Sequence, residues 1–235
     1  MLSGSETPQE AYVHVQVEEG SDSDDSRFYI ARPTWRIGAI AHGLAQTARF
    51  AGQADEFYSV AEHSCLVAAL MAEVTGGNPR EGLLHDAHES VLTDVPSPFK
   101  QLMPEYRQLE ARLESDLRAA FSLSPSKSEA CQQADWLAVY IEAAQILPGR
   151  GLDFVDPYGL RPTAMRLRDQ DAWRVRCLPW KDAKRMFLAA YEVAVNGPPP
   201  RRAKRTWGDV DLRMFDAGGG TPSVSEAMRI GSARG

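Results

Sequence analysis

The stretch Gly82-Leu83-Leu84-His85-Asp86-Ala87-His88-Glu89-Ser90 decides how this chain is read. Its first residues have the character of a buried helix, and then His, Asp, His and Glu fall between positions 85 and 89. Polar groups in an interior helix cost free energy unless something compensates their lost hydration. A divalent cation would do so, because imidazole and carboxylate are a common mixed ligand set for zinc, iron, manganese or cobalt. His85 and Asp86 cannot surround an ion alone. Neighbouring helical side chains diverge by about 100°, so further ligands must come from other helices.

Working outward, the pattern is helical on both sides. Ser59 and Glu62 have capping-box spacing, so a helix is expected from Val60, with Val60, Val67, Leu70, Met71 and Val74 as its stripe and Gly76-Gly77 as its stop. His63 lies in its first turn. Asn78-Pro79 is a cap followed by a first-turn proline, and the helix it opens is expected to run to about Leu92, where Asp94–Pro98 stops it. Upstream, Ile37, Ile40, Ala41, Leu44, Ala45 and Ala48 share one face of a helix that Gly52 would end. Downstream, helices are expected over Pro104–Phe121 (Tyr106, Leu109, Leu113 and Leu117 inward), Ser126–Leu147 (Ala130, Ala134, Leu137, Ile141 and Ala144 inward) and Lys181–Val195. Residues 149–177 are less periodic and are expected to include a loop. The fold class is therefore all-α: one helical domain over 27–196, between a flexible acidic arm at 1–26 and a flexible Pro/Gly/Arg-rich tail at 197–235. Within the arm, Ala11–Val17 alternates like a strand and can pair with Arg27–Ile30 as a small hairpin.

Composition narrows the function classes. Over 235 residues, 43% hydrophobic and 25% charged content are ordinary for a globular chain. A net charge of −6 argues against a nucleic-acid polymer as partner. No apolar run suggests a membrane span and no signal peptide is evident. Cys65, Cys131 and Cys177 are widely separated and form no CxxC, which disfavours a thiolate zinc site and suits a reduced, cytoplasmic protein. Arg201, Arg202, Lys204 and Arg205 read most simply as a solvated run.

His63 and Asp135 are the best candidates for the remaining ligands. Each is a ligand-type residue on or beside an apolar stripe of a separate helix. The set His63, His85, Asp86, Asp135 would leave positions open for water and substrate, as a catalytic ion requires.

In this order, His…His-Asp…Asp, the chain resembles the HD-domain metal-dependent phosphohydrolases. The likeness extends through Arg49-Phe50, Phe57-Tyr58-Ser59-Val60-Ala61-Glu62-His63-Ser64, Leu83–Glu89, Asp94-Val95-Pro96-Ser97-Pro98-Phe99-Lys100, Pro104-Glu105-Tyr106-Arg107 and Pro179-Trp180. These are similar to the small HD proteins that act on deoxynucleotides, among them bacterial 5′-deoxynucleotidases and phage dATP triphosphohydrolases. The resemblance implies a helical HD bundle, a divalent cofactor (cobalt, manganese, zinc or magnesium), a deoxynucleotide substrate and a homo-oligomer. It also implies roles: Glu89 to hold or deprotonate the attacking water, Asp94 to orient that water or protonate the leaving oxygen, Arg49 to clamp phosphate, and Phe50 to contact sugar or base. Lys100 is a candidate for the extra cations a triphosphate needs. Three functions follow as expectations: a dNTP triphosphohydrolase, preferred; a 5′-deoxynucleotidase; and, of another class, a non-catalytic metal-binding regulatory module, which Glu89 and Asp94 disfavour. Residue by residue, plainer roles stay open: Asp94 as a turn residue, Arg49 as a charge at a helix C-terminus, Glu89 as a carboxylate steadying a metal histidine.

Overall fold

A computed structural model describes residues 15–20, 28–149 and 154–197. Helix α2 (Val60–Leu70) is its axis, and every residue of it is buried. Apolar side chains run almost all the way round this helix, so it has no face to offer to water. The Ser59 hydroxyl accepts from the Glu62 N–H at 3.2 Å and starts the helix as its spacing foretold. The reciprocal half of the capping box does not form. Glu62 instead accepts three backbone N–H groups, from Arg176, Cys177 and Leu178 at 2.7, 3.2 and 2.9 Å, and ties that distant segment to α2. The helix loosens into a π-turn at Met71–Thr75 and stops at Gly76 with φ 69°. Val74, expected inward, is exposed on that turn.

Helices α1 (Ile37–Gln46), α3 (Pro79–Leu84), α7 (Glu129–Ile146) and α9 (Trp180–Asn196) pack around α2. A single hydrophobic cluster runs through them, including Ile40, Leu70, Leu83, Leu117, Leu137 and Phe187. Helix α6 (Pro104–Ala120) contributes Leu113 and Leu117, while Leu109 and Tyr106, expected inward, are only half-buried, as are Ala130 and Ala144 of α7. Among the described residues, no helix is long and apolar enough to cross a membrane.

The all-α class holds, with three departures in detail. The helix expected from Pro79 to Leu92 is broken. Helix α3 ends at Leu84, residues 85–88 form a turn, and a short α4 (Glu89–Leu92) resumes. Across the break the backbone tightens to i→i−3 hydrogen bonds, Ala87 to Leu84 at 3.1 Å and Glu89 to Asp86 at 2.9 Å. Another short helix, α5 (Ser97–Lys100), follows. Helix α1 ends at Gln46 rather than near Gly52. Ala48 then bridges to Ser59, with the Arg49 N–H on the Tyr58 carbonyl at 2.8 Å. The span 149–177 holds helix α8 (Arg161–Leu167), packed on α7, and a 3-10 turn at Asp171–Trp173.

An antiparallel hairpin, β1 (Val15–Gly20) with β2 (Phe28–Pro33), adds the only sheet among the described residues and pairs Val15 with Pro33 through Gly20 with Phe28. The 1–26 arm thus contains a strand. Residues 11–14 of the expected strand, and the expected tail beyond 197, lie outside the described residues.

Candidate metal centre

The break after Leu84 lets the two adjacent residues His85 and Asp86 serve one point. In a continuous helix they would diverge. Here His85 Nε2 and Asp86 Oδ2 are 3.0 Å apart. Helix α3 reaches α2 closely because residue 82 is glycine: a Cβ there would lie 2.7 Å from Met71 Sδ and 3.0 Å from the Ala68 Cα. That approach sets His85 against His63, with the two Nε2 atoms 3.3 Å apart. From α7, Asp135 Oδ1 comes within 3.2 Å of His63 Nε2 and 3.7 Å of His85 Nε2. The four residues singled out as ligands are therefore brought together. One ligand atom from each lies within 4.8 Å of all the others, and both histidines are fully buried.

The hydrogen bonds behind the cage fix what it presents. His63 Nδ1 donates to Glu142 Oε1 at 2.7 Å, and His85 Nδ1 donates to the Gly82 carbonyl at 2.7 Å. Both acceptors lack protons, so in neutral rings the Nε2 lone pairs face inward, the tautomer a metal-ligating histidine needs. Two lone pairs and two carboxylate oxygens at these separations repel unless a cation or protons lie among them. Donors about 2.1 Å from a shared ion sit roughly 3.0–3.5 Å apart, so the spacing suits one.

Charge points the same way. The cage is continuous with Glu142, Arg49, Asp94 and Lys127. Arg49 lies 3.4 Å from Glu142, 3.7 Å from Asp94 and 4.0 Å from Asp86, and Lys127 Nζ donates to Asp86 Oδ1 at 3.0 Å. Four carboxylates against two cations leave two negative charges, the deficit one divalent ion fills. Without it, protons are drawn in. Burial and Arg49 depress the His63 pKa, but Glu142 and Asp135 outweigh them and carry it to about 9. Burial disfavours ionised Asp135, yet its hydrogen bonds to His63 and His85 hold its pKa well below the usual range.

Glu142 and Lys127 were not legible as site residues. Glu142 is fully buried and also accepts from the Tyr58 hydroxyl at 2.8 Å. A weak signal was there, since it follows Asp135 by seven residues, two turns along the same helical face. Lys127 carries no local signal.

Of the other expected residues, Arg49 comes within 4.0 Å of Asp86, Asp94 pairs with Arg49, and Lys100 pairs with Glu89. Glu89 is buried; burial, then Asp86 and Asp94, push its pKa well above the carboxylate range, and its Oε2 has no hydrogen-bond partner. Asp94 meets the cage through Arg49. Arg49 opens a turn in which Phe50 and Ala51 have φ of 55° and 51°, a left-handed conformation costing on the order of 1–3 kcal/mol each. The Phe50 ring sits under the guanidinium, 5.3 Å from its carbon. Lys100 bridges Glu89, at 3.5 Å, and Glu110, and lines an open polar pocket of about 610 Å³ with Ser97, Gln101, Arg107 and Glu110. His88, expected at the rim or surface, is buried, its Nε2 3.5 Å from Glu110.

No protein-family profile matches the chain. The uncharacterized protein YfdR of Escherichia coli (strain K12) is 34% identical over 117 residues, which cover 50% of this chain and 62% of YfdR. An uncharacterized protein of Rhodobacter capsulatus is 39% identical over 150 residues, covering 56% of this chain and 76% of the relative.

Proposed function

The chain belongs to the same family as the Rhodobacter capsulatus protein, and we propose for it a metal-dependent phosphohydrolase activity on deoxynucleoside phosphates. The reading joins the HD-type resemblance to one observation: four ligand atoms from three segments share a point, with both imidazoles locked to turn Nε2 inward. His63, His85, Asp86 and Asp135 would hold the divalent ion, of the cobalt, manganese, zinc or magnesium class. Such an ion lowers the pKa of coordinated water toward about 7 and polarises a phosphoryl oxygen.

The chain's own groups supply the rest. Arg49, anchored from behind by Glu142, turns NH1 toward Asp86 and Asp94, where it can take a phosphate oxygen. Its left-handed turn sets the Phe50 ring against the guanidinium, from where it would contact sugar or base. Glu89 offers an unpartnered, buried Oε2 that would hold the attacking water. Asp94, paired with Arg49, would orient the attacking water or, having taken up its proton, hand that proton on to the leaving O5′. Water attacks the α-phosphorus, the P–O5′ bond breaks, and a dNTP yields deoxynucleoside plus triphosphate. The polar pocket lined by Lys100 and Arg107, next to Glu89, favours this triphosphohydrolase form over 5′-deoxynucleotidase action on a dNMP.

The test is product analysis with the purified chain, cobalt or manganese, and a panel of dNTPs and dNMPs. Triphosphate from a dNTP is the expected product. Inorganic phosphate from dNMPs alone would shift the assignment to the nucleotidase. No release from any nucleotide, with metal bound, would leave a binding module.

A further inference from the structure

The loop between α6 and α7 is held with more bonds than a surface loop needs, and they converge on one side chain. Arg118, almost fully buried, donates to the carbonyls of Ser124 and Ser126 and, at 2.8 Å, to Glu81 Oε1. Glu81 accepts from the Ser128 N–H at 2.9 Å and from its hydroxyl at 2.7 Å. The residues on both sides of Lys127 are thus fixed to α6 and α3, and α3 leads directly into His85-Asp86. Lys127 completes a second stitch to the same segment through Asp86 Oδ1, while Asp86 Oδ2 faces His85 and His63. The two oxygens of one carboxylate therefore serve different partners.

We propose that Lys127 is a positioning residue for the candidate metal centre. By holding Oδ1 outside the cage it restricts Asp86 to a single ligating oxygen and keeps a coordination position open for water or substrate. A carboxylate free of this partner can turn and ligate through both oxygens, closing that position. The Lys127 ammonium suits this role because it donates to Oδ1 alone and the residues on both sides of it are tied down. The inference rests on the cage holding a divalent ion.

The experiment loads the full chain, as K127M, K127R and wild type, with cobalt(II) and reads three quantities: the visible d–d spectrum, which responds to coordination number, the cobalt affinity, and kcat and KM on the best nucleotide. K127M is expected to keep binding cobalt, to change the spectrum, and to lose about 10- to 100-fold in kcat with little change in KM, a loss of the size typical for groups that orient metal ligands. K127R, which restores a donor to Oδ1, is expected to recover the wild-type spectrum and most of kcat. A K127M spectrum identical to wild type overturns the proposal, whatever the activity. So does a loss confined to KM, which would make Lys127 a contact to substrate phosphate. So does a K127M chain that fails to fold while K127R folds with an altered spectrum. A wild-type chain that binds no cobalt would remove the cage itself, a failure separable from the others.

Discussion

Two buried charged clusters lie within one helical turn of each other in this protein, and they differ in whether they are complete. Around Arg118, the guanidinium meets Glu81 and two carbonyls, and Glu81 meets Ser128 twice, so each charge has its counter-charge. Around His63 and His85, four carboxylates face two cations, and two imidazole nitrogens point at each other across 3.3 Å. The first cluster pairs its charges within itself and serves as a strut. The second is complete only with something added. Burial and charge alone do not single out a candidate site; an unbalanced set of well-held donors does.

Substitutions should separate the two, beginning with the largest effect. Asp86→Ala should abolish both cation binding and turnover while the chain stays folded, seen by calorimetric metal titration beside a nucleotide assay. Glu89→Gln should keep the cation and lose about 10²- to 10⁴-fold in kcat, the usual contribution of a general acid–base group; full activity would strip Glu89 of its role. Arg118→Met should do the opposite of both. Removing one partner of a buried pair costs about 3–5 kcal/mol, so the melting temperature should drop steeply, while the fraction that remains folded binds the cation nearly as wild type does.

The smallest effect is in pH. In the cation-free protein the His63 pKa is raised from 6.5 to about 9. Its stabilising contribution is therefore complete below about 6.5 and lost as pH rises through about 9. Chelator-treated protein should melt at progressively lower temperature over that interval. Added cation must displace the proton, so the stabilisation it confers should grow over the same interval. The strut behaves otherwise: burial works against ionised Glu81, but Arg118 and Ser128 prevail and lower its pKa. Its contribution is present above the ordinary carboxylate value of 4.5 and fades as pH falls below it.

Much of this was readable from sequence where the signal is local. Caps and prolines set the starts of α2, α3 and α6, and an apolar stripe with polar intruders exposed the candidate ligand set. The break at 85–88 was not readable, because one tightened turn barely changes the periodicity of Leu83, Leu84 and Ala87. Helix α8 was missed because it is only seven residues long and buries little beyond Ala164. Glu62 shows how a local rule yields to tertiary structure: its capping-box partner was available, yet three backbone donors from 114 to 116 residues away took its carboxylate. Glu142 and Lys127 meet the cage only after α7 and the preceding loop are placed; the seven-residue spacing from Asp135 hints at Glu142, and nothing local announces Lys127.

The most direct test of the metal centre is anomalous diffraction from a manganese- or cobalt-soaked crystal. A cation cage gives one strong peak enclosed by His63 Nε2, His85 Nε2, Asp86 Oδ2 and Asp135 Oδ1. No peak there at saturating metal, or a peak only beside His88, Glu89 and Glu110, would contradict it.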